Sequence, residues 1–205
     1  MENIWYLFAA LCGYLFGSVP FALVIGKVFY KKDIRNYGSG NLGGTNAGRV
    51  LGKTAGLSVT VFDVLKGFIA MLIFWLLKTN TNVILLAGFA ASVGHAFPVF
   101  ANFKGGKSVS TYFGFLLGVC TFVIKSPWLF LIGLGIWIIC LYFTKYVSLS
   151  SMVATNAASV LSVFFVNNNY FITVALLIVS LFIVYRHRTN IERIKNKTES
   201  KVKWI

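Results

Sequence analysis

Acidic side chains are scarce in this chain of 205 residues, which has five Asp and Glu against 19 Lys and Arg. Charged residues make up only 12% of the sequence, about half of the ~25% that a soluble domain carries. The segments predicted below to be cytoplasmic hold only Asp33, Glu192 and Glu199, which argues against a carboxylate-ligated magnesium site. The sequence therefore predicts no bound metal and no other cofactor.

Cysteine is equally rare, and Cys12, Cys120 and Cys140 all lie in apolar runs without CxxC spacing. This pattern argues against a zinc site and against a disulfide framework. The chain also has no GxSxG sequence and no Ser-His-Asp set, which argues against a serine hydrolase. No basic segment precedes the first apolar run, which therefore predicts a retained first helix rather than a cleaved signal peptide.

Long apolar runs dominate the rest of the chain, since 58% of its residues are hydrophobic. The runs approach the roughly 20 residues of a bilayer crossing, and they predict an all-α, polytopic integral membrane protein with one domain, 1–205. The seven predicted spans cover approximately Ile4–Tyr30, Thr54–Leu77, Val83–Phe97, Val109–Val123, Trp128–Phe143, Ser151–Val166 and Tyr170–Tyr185. The sequence Gly17-Ser18-Val19-Pro20 predicts a kink or an unwound turn within the first span.

The basic residues lie mostly in short segments between the spans, and nearly all of these fall on one side of the predicted topology. On that side are Lys27, Lys31, Lys32, Arg35, Arg49, Lys53, Lys104, Lys107, Lys145, Arg186, Arg188, Arg193, Lys195, Lys197, Lys201 and Lys203. The other side holds only Lys78 and Lys125. This bias predicts a cytoplasmic C-terminus and an outer N-terminus. It also explains the net charge of +14 better than nucleic-acid binding does, because the cations suit orientation and anionic headgroups.

The stretch Gly38–Arg49 is rich in glycine and in neutral polar side chains, and it lies between two apolar runs. Glycines let backbone N–H groups approach an anion, and a guanidinium suits phosphate. We therefore predict a loop that binds an anionic headgroup through Ser39, Gly40, Asn41, Thr45, Asn46 and Arg49. The stretch formally contains GxGxxG, but no βαβ unit surrounds it, so it does not predict a dinucleotide site.

A second glycine-rich stretch, Phe103–Ser108, repeats this composition in shorter form. Its binding candidates are Lys104, Gly105, Gly106 and Lys107. The last three letters of a Walker A loop are present in Gly106-Lys107-Ser108, but the expected first glycine is Ala101, which argues against nucleotide binding. The alternative for both stretches is a pair of tight cytoplasmic turns, which rarely need so many amides, hydroxyls and cations together.

Three further groups of polar residues lie in or beside the spans. Asp63 and Lys66 are spaced i, i+3 inside the second span and predict a structural ion pair. A structural hydrogen-bonding role is predicted for His95. In contrast, His187 and Asn190 follow the seventh span on one helix face, and neighbouring cations favour a neutral imidazole that can accept a proton. Ser148 lies in a Ser-rich segment on the same side of the membrane and is a further substrate- or phosphate-binding candidate, for which the alternative is a simple helix cap.

With these residues placed, the chain resembles the bacterial acyl-phosphate-dependent glycerol-3-phosphate acyltransferases, the PlsY type. The resemblance covers nearly the whole chain and rests on three ordered motifs. They are Gly17–Pro20 with Gly38–Arg49, then Gly94–Pro98 with Phe103–Lys107, and finally Tyr185–Ile191 through Glu199. One departure is Lys197, where the family pattern usually has glycine.

The resemblance implies transfer of a fatty acyl group from acyl phosphate to position 1 of glycerol 3-phosphate, which gives lysophosphatidic acid and phosphate. It implies a bacterial cytoplasmic membrane protein that performs the first step of phospholipid synthesis, with its active site on the cytoplasmic face. On this reading, Ser39, Lys107, His187 and Asn190 are catalytic. The implied partners are the two substrates and membrane lipid, without nucleic acid or an obligate protein partner.

Acyl phosphate is a mixed anhydride, so its acyl group is already activated and no covalent serine intermediate is needed. The protein's task is then to position two phosphates and stabilise charge, which suits a site rich in cations. The alternative from another class is a transporter or channel for a small phosphorylated anion. Such a protein is expected to have midplane polar groups within a repeat, whereas this chain places its polar groups on one face.

Overall fold

The computed structural model describes residues 2–167 and 169–202, and throughout those ranges it contains helices and turns but no strand. The α-helices are α1 Glu2–Gly17, α2 Phe21–Tyr30, α3 Gly44–Leu51, α4 Lys53–Leu76, α5 Thr81–Ala96, α6 Val109–Gly118, α7 Trp128–Thr144, α8 Val147–Leu161, α9 Tyr170–Arg186 and α10 Arg188–Lys195. Short 3₁₀ helices lie at Ile34–Asn36, Val99–Ala101 and Ser162–Phe164. A π-helix at Val119–Ile124 continues α6. The all-helical prediction is confirmed.

The seven predicted apolar spans each coincide with helix, but the helices differ in length. Within the described residues, four stretches are long and apolar enough to cross a membrane: Asn3–Tyr30, Lys53–Leu76, Thr81–Ala101 and Val147–Phe164. A fifth is added if α9 and α10, which meet at a 54° bend, count as one broken span. The apolar helices Val109–Ile124 and Trp128–Thr144 are shorter than the roughly 20 residues of a bilayer crossing. The count of seven crossings therefore stays a prediction.

The predicted break in the first span is confirmed, because α1 ends at Gly17 and α2 begins at Phe21. Pro20 has no N–H to continue the helical ladder, so the chain turns between the two helices. The carbonyl of Val19 accepts a hydrogen bond of 3.1 Å from Lys66 Nζ. The break thus exposes a backbone acceptor to a buried cation on α4.

The chain divides into two compact units, Met1–Gly118 and Val119–Ile205. In the first unit the helices approach each other closely at glycines, which have no side chain to separate the two backbones. A methyl group on Gly17 would overlap the backbone of Ala91 on α5, and one on Gly114 would overlap the backbone of Val64 on α4. Such small-residue contacts are typical of helices packed within a bilayer, where lipid provides no hydrophobic drive for association.

In the second unit, polar side chains connect the packed helices α7, α8 and α9. Trp137 Nε1 donates to Ser151 Oγ at 3.2 Å, which joins α7 to α8. Ser180 Oγ donates to Asn156 Oδ1 at 3.3 Å, which joins α9 to α8. Interhelical hydrogen bonds of this kind stabilise membrane bundles modestly, by about 0.6 kcal/mol on average.

Candidate active site

The first glycine-rich stretch begins as a tight turn that the Asn46 side chain holds in shape. Gly38 and Gly40 have φ of +60° and +68°, a region that favours glycine. Asn46 Oδ1 accepts from the backbone N–H of Ser39 at 2.9 Å, and its Nδ2 donates to the carbonyl of Tyr37 at 3.2 Å. Asn46 is buried, so its amide serves the turn itself. The predicted contact between Asn46 and substrate stays a prediction.

The second half of this stretch is helical, so the prediction of a loop from Gly38 to Arg49 is wrong for the residues of α3. Glycine allows α3 and α4 to pack closely: a methyl on Gly44 of α3 would overlap Thr60 Oγ1, and a methyl on Gly56 of α4 would overlap the backbone of Gly48. The sequence favours a loop here because glycines are typical of turns, and the packing of α3 against α4 is not a local feature of the sequence. Arg49 lies exposed in the last turn of α3.

Ser39, Gly40, Asn41 and Thr45 lie at or near the surface of this first unit. Ser39 and Thr45 are exposed, whereas Gly40 and Asn41 are half-buried. The N–H of Asn41 points to Ser39 Oγ at 3.5 Å, a long contact across the turn. The stretch therefore presents Ser39 and Asn41 on the turn, and Thr45 on α3 together with Arg49.

The second glycine-rich stretch packs against the end of α5. The N–H of Gly106 donates to the carbonyl of His95 at 3.1 Å. A methyl group on Gly105 would overlap that carbonyl, and a methyl on Gly106 would overlap His95 Nε2. Only glycine fits at both positions. Lys104 is exposed and Lys107 half-buried on either side of the pair.

His95 also belongs to a buried ionic group on α4 and α5. Lys66 Nζ lies 2.8 Å from Asp63 Oδ1, which confirms the predicted pair. His95 Nδ1 lies 3.4 Å from the same oxygen, Asp63 Oδ1. All three side chains are buried. Local sequence patterns do not show that His95 joins this pair, because His95 lies on α5 and the pair lies on α4.

The second unit contains the other predicted catalytic residues, at the bend between α9 and α10. His187 is buried, and its Nδ1 lies 2.8 Å from the carbonyl of Ile183. A carbonyl only accepts, so Nδ1 carries the hydrogen and Nε2 is the basic nitrogen of the neutral ring. The N–H of Asn190 donates to the carbonyl of His187 at 2.8 Å, which sets the two residues on adjacent turns.

Glu199 is the centre of this second cluster, and sequence reasoning did not assign it a role. Its Oε1 accepts from Ser148 Oγ at 2.7 Å and from Asn190 Nδ2 at 2.6 Å. Its Oε2 accepts from Arg193 Nε at 2.8 Å. The available signal was that Glu199 and Glu192 are the two acids among many cations in the C-terminal segment from Arg186 onward.

Electrostatics keep the Glu199 carboxyl ionised. Partial burial raises its pKa, but hydrogen bonds from Arg193, Ser148 and Asn190 outweigh that effect, and the pKa is lowered overall. Lys197 lies in the turn before Glu199 and has a φ of +57°, in the left-handed region that favours glycine. The family pattern usually has glycine at this position. Lys197 thus takes the conformation that glycine favours.

The predicted residues accordingly form two groups. The first unit holds Ser39, Gly40, Asn41, Thr45, Asn46, Arg49, Lys104, Gly105, Gly106 and Lys107, and the second holds Ser148, His187 and Asn190. Within the second group, Ser148 and Asn190 share one carboxylate oxygen. The role of each residue stays a prediction.

These features define an all-helical membrane protein with cation- and amide-rich clusters beside its apolar helices. The family model described as glycerol-3-phosphate acyltransferase matches residues 7–197. The chain therefore belongs to the glycerol-3-phosphate acyltransferase family, and it is a membrane acyltransferase of phospholipid synthesis.

Curated relatives of this name match almost end to end. The chain is 46% identical over 198 residues to the glycerol-3-phosphate acyltransferase of Listeria monocytogenes serotype 4a (strain HCC23), covering 96% of each chain. It is 50% identical over 194 residues to that of Geobacillus kaustophilus, covering 95% of this chain and 94% of the relative. It is 47% identical over 195 residues to that of Bacillus subtilis, covering 95% and 96%.

Solved structures of PlsY, an integral membrane glycerol 3-phosphate acyltransferase, have the same fold. Its glycerol 3-phosphate form has a TM-score of 0.85 and 37% identity, covering 97% of this chain and 96% of that one. Its lysophosphatidic acid form has a TM-score of 0.84 and 36% identity, covering 97% and 95%. The resemblance inferred from the motifs is confirmed.

Proposed function

We propose that this protein transfers a fatty acyl group from acyl phosphate to the hydroxyl at position 1 of glycerol 3-phosphate. The products are lysophosphatidic acid and inorganic phosphate. The observation that carries the proposal is similarity over 97% of the chain to PlsY in its glycerol 3-phosphate form. Similarity to the lysophosphatidic acid form of PlsY supports the proposed product. The PlsY-type motifs support acyl phosphate as the donor.

The chemical step is a direct acyl transfer. The hydroxyl oxygen attacks the acyl carbon, a new ester C–O bond forms, and the bond between that carbon and the bridging phosphate oxygen breaks. The phosphate departs with the electron pair. The hydroxyl proton goes either to His187 or to a phosphate, because a phosphate ionises near neutral pH. No covalent enzyme intermediate is required, since the donor is already activated.

The first unit offers groups that suit the phosphates. Arg49, Lys104 and Lys107 supply positive charge, and the Gly105-Gly106 backbone supplies a surface free of side chains. Neutral donors and acceptors of the first glycine-rich stretch come from Ser39, Gly40, Asn41, Thr45 and Asn46. We assign Lys107 to charge that develops as the leaving phosphate departs, and the other residues to substrate binding.

The second unit offers groups that suit the acceptor hydroxyl. His187 orients that hydroxyl or accepts its proton through Nε2, and Asn190 binds a substrate oxygen. Ser148 supports the same region through the carboxylate that it shares with Asn190. In this proposal Ser39 hydrogen-bonds a substrate oxygen, as Asn190 does.

The proposed topology has seven crossings in the bacterial cytoplasmic membrane, with the N-terminus outside and the C-terminus cytoplasmic. The basic-residue bias supports this arrangement, in which the active site lies on the cytoplasmic face. Glycerol 3-phosphate then reaches the site from water, while the acyl chain lies along the apolar helices.

Purified protein in detergent tests the function directly. Acyl phosphate and glycerol 3-phosphate together should release phosphate and form lysophosphatidic acid, whereas either substrate alone should not. Acyl-CoA offered in place of acyl phosphate should give no product. Acyl transfer from acyl-CoA, or uptake of glycerol 3-phosphate into vesicles without acyl transfer, would contradict the proposal.

A further inference from the structure

A buried polar chain connects three segments of the first unit. Lys66 Nζ donates to the carbonyl of Val19 at 3.1 Å in the break between α1 and α2. The same Nζ lies 2.8 Å from Asp63 Oδ1, which lies 3.4 Å from His95 Nδ1. The exposed fractions of Asp63, Lys66 and His95 are 1%, 3% and 6%. This buried polar chain therefore runs from the helix break, across α4, to the last turn of α5.

His95, at the α5 end of this polar chain, contacts the second glycine-rich stretch. His95 contacts Gly106 in two ways. Its carbonyl accepts a hydrogen bond from the Gly106 N–H at 3.1 Å, and its ring occupies the space that a side chain at position 106 would need. Asp63 faces the opposite side of the ring, at Nδ1. The ring is thus held between a carboxylate and the backbone of Gly106.

The acyl transfer proposed above uses none of Asp63, Lys66 and His95. Buried ionic groups are costly to desolvate, and apolar residues of similar volume are often at least as stabilising. Within a membrane the cost of ionisable groups is higher, and such residues usually serve function. A role in shaping the neighbouring site explains why these ionisable groups are kept buried better than a contribution to stability does.

We propose that Asp63 and His95 are positioning residues of this enzyme. Asp63 fixes the orientation of the His95 imidazole, and the imidazole fixes the Gly105-Gly106 backbone in the shape that receives a substrate phosphate. Lys66 balances the charge of Asp63 and ties it to the helix break. The inference rests on the proposed function, because it assigns the glycine pair to phosphate binding.

The first test separates positioning from stability by steady-state kinetics. In His95→Asn the amide replaces Nδ1 beside Asp63, but the part of the ring that contacts Gly106 is lost. We expect the KM for glycerol 3-phosphate to rise by about 10-fold or more while kcat falls by less than about 3-fold, because binding rather than chemistry is impaired. A fall in kcat at unchanged KM would overturn the inference, and so would wild-type kinetics.

Ser92→Ala is the matched control for this test. Ser92 is buried on α5 one turn before His95, and its Oγ donates to the carbonyl of Gly88 in its own helix at 3.1 Å. Its loss should leave the KM for glycerol 3-phosphate unchanged, and a rise equal to that of His95→Asn would also overturn the inference. If His95→Asn does not fold, His95→Gln is measured instead and has the same outcomes, because it also lacks the ring.

The second test uses the different surroundings of the two glycines. The methyl of Gly106→Ala would overlap the His95 ring, whereas that of Gly105→Ala would overlap the His95 carbonyl and Ala96 backbone. Adding His95→Ala removes the ring but not the carbonyl. We expect the KM of the Gly106→Ala double variant to fall at least about 3-fold below the product of the two single effects, as coupled neighbours do.

In the Gly105→Ala double variant, the single effects on KM should instead multiply. Equal behaviour of the two double variants would overturn the positioning role of the ring. Failure of the proposed function is distinguishable, because the wild-type protein would then form no lysophosphatidic acid from acyl phosphate. An active wild type with uncoupled variants overturns only this inference.

Discussion

Asn190 Nδ2 and Ser148 Oγ donate to the same oxygen of Glu199, at 2.6 and 2.7 Å, although they lie on α10 and α8. Arg193 Nε binds the other oxygen at 2.8 Å. The carboxylate therefore joins the segment after α10 to α8, and it orients the side-chain amide of Asn190, a predicted catalytic residue. Donors on both oxygens and a positive partner make these hydrogen bonds stronger than neutral ones.

Replacing Glu199 by Gln should loosen this cluster. The Gln amide group would face a donor, either Arg193 or the Ser148–Asn190 pair, so at least one charge-assisted hydrogen bond is lost, at a cost of about 2 kcal/mol. We expect a lower Tm in detergent and a lower kcat/KM. Glu192→Gln is the matched control, since Glu192 is an exposed acid on the same helix as Asn190. Equal Tm values for the two variants would show that the hydrogen bonds of Glu199 do not stabilise the fold, and would contradict this role.

Stability should depend on pH through the same carboxyl. The pKa of Glu199 is lowered on folding, because hydrogen bonds from Arg193, Ser148 and Asn190 outweigh the burial that raises it. Its contribution is therefore complete above its ordinary pKa of 4.5 and is lost as pH falls through the lower folded value. The difference in Tm between wild type and Glu199→Gln should shrink below pH 4.5. A difference independent of pH would refute this assignment.

The positions of the helices could be predicted from the sequence because apolar runs and their interruptions are local features. The second span was predicted from Thr54 to Leu77 and is observed as Lys53–Leu76. The break at Gly17–Pro20 followed from the missing N–H of Pro20. In contrast, α3 was missed because its glycines resemble a loop until the closely packed surface of α4 is known.

The candidate site was predictable by composition but not by connectivity. Composition identified His187, Asn190 and Ser148, yet their relation to Glu199 depends on a tail turn with Lys197 at φ +57°, an uncommon conformation for lysine. Similarly, His95 and Asp63 are 32 positions apart on different helices and meet only through packing. Contacts between elements cannot be read from local patterns.

The glycine pair should govern affinity for glycerol 3-phosphate. Gly105→Ala or Gly106→Ala would force the turn away from the end of α5, and we expect mainly a higher KM for glycerol 3-phosphate. Steady-state kinetics with each substrate varied in turn will show whether the KM for acyl phosphate stays unchanged. Wild-type kinetics in both variants would remove the second glycine-rich stretch from the site.

Lys107 should contribute to the transition state instead. If it contacts charge that develops on the leaving phosphate, Lys107→Ala should lower kcat by an amount equivalent to about 3 kcal/mol, as for one oxyanion donor. Lys78→Ala is the control, because that lysine lies in the connection predicted to be outside. Similar small effects of both substitutions would contradict the assignment.

The proposed topology predicts opposite accessibility for two connections. Single cysteines at Asn41 and Asn168, in a background without Cys12, Cys120 and Cys140, should react with a membrane-impermeant thiol reagent from opposite sides of intact cells. Asn168 lies outside the described residues, and it is chosen because it falls between the sixth and seventh predicted spans. Labelling of both cysteines from the same side would rule out this arrangement.

His187→Gln distinguishes a base from a hydrogen-bonding group. An amide can orient the acceptor hydroxyl but cannot take its proton, so a loss of roughly 100-fold or more in kcat would support general-base catalysis. Near-normal turnover would indicate that a substrate phosphate takes the proton while His187 positions the hydroxyl. Thr189→Ala, at an exposed residue of the same turn, is the control and should retain activity. If His187→Ala and Asn190→Ala both left kcat/KM unchanged, neither residue would belong to the site.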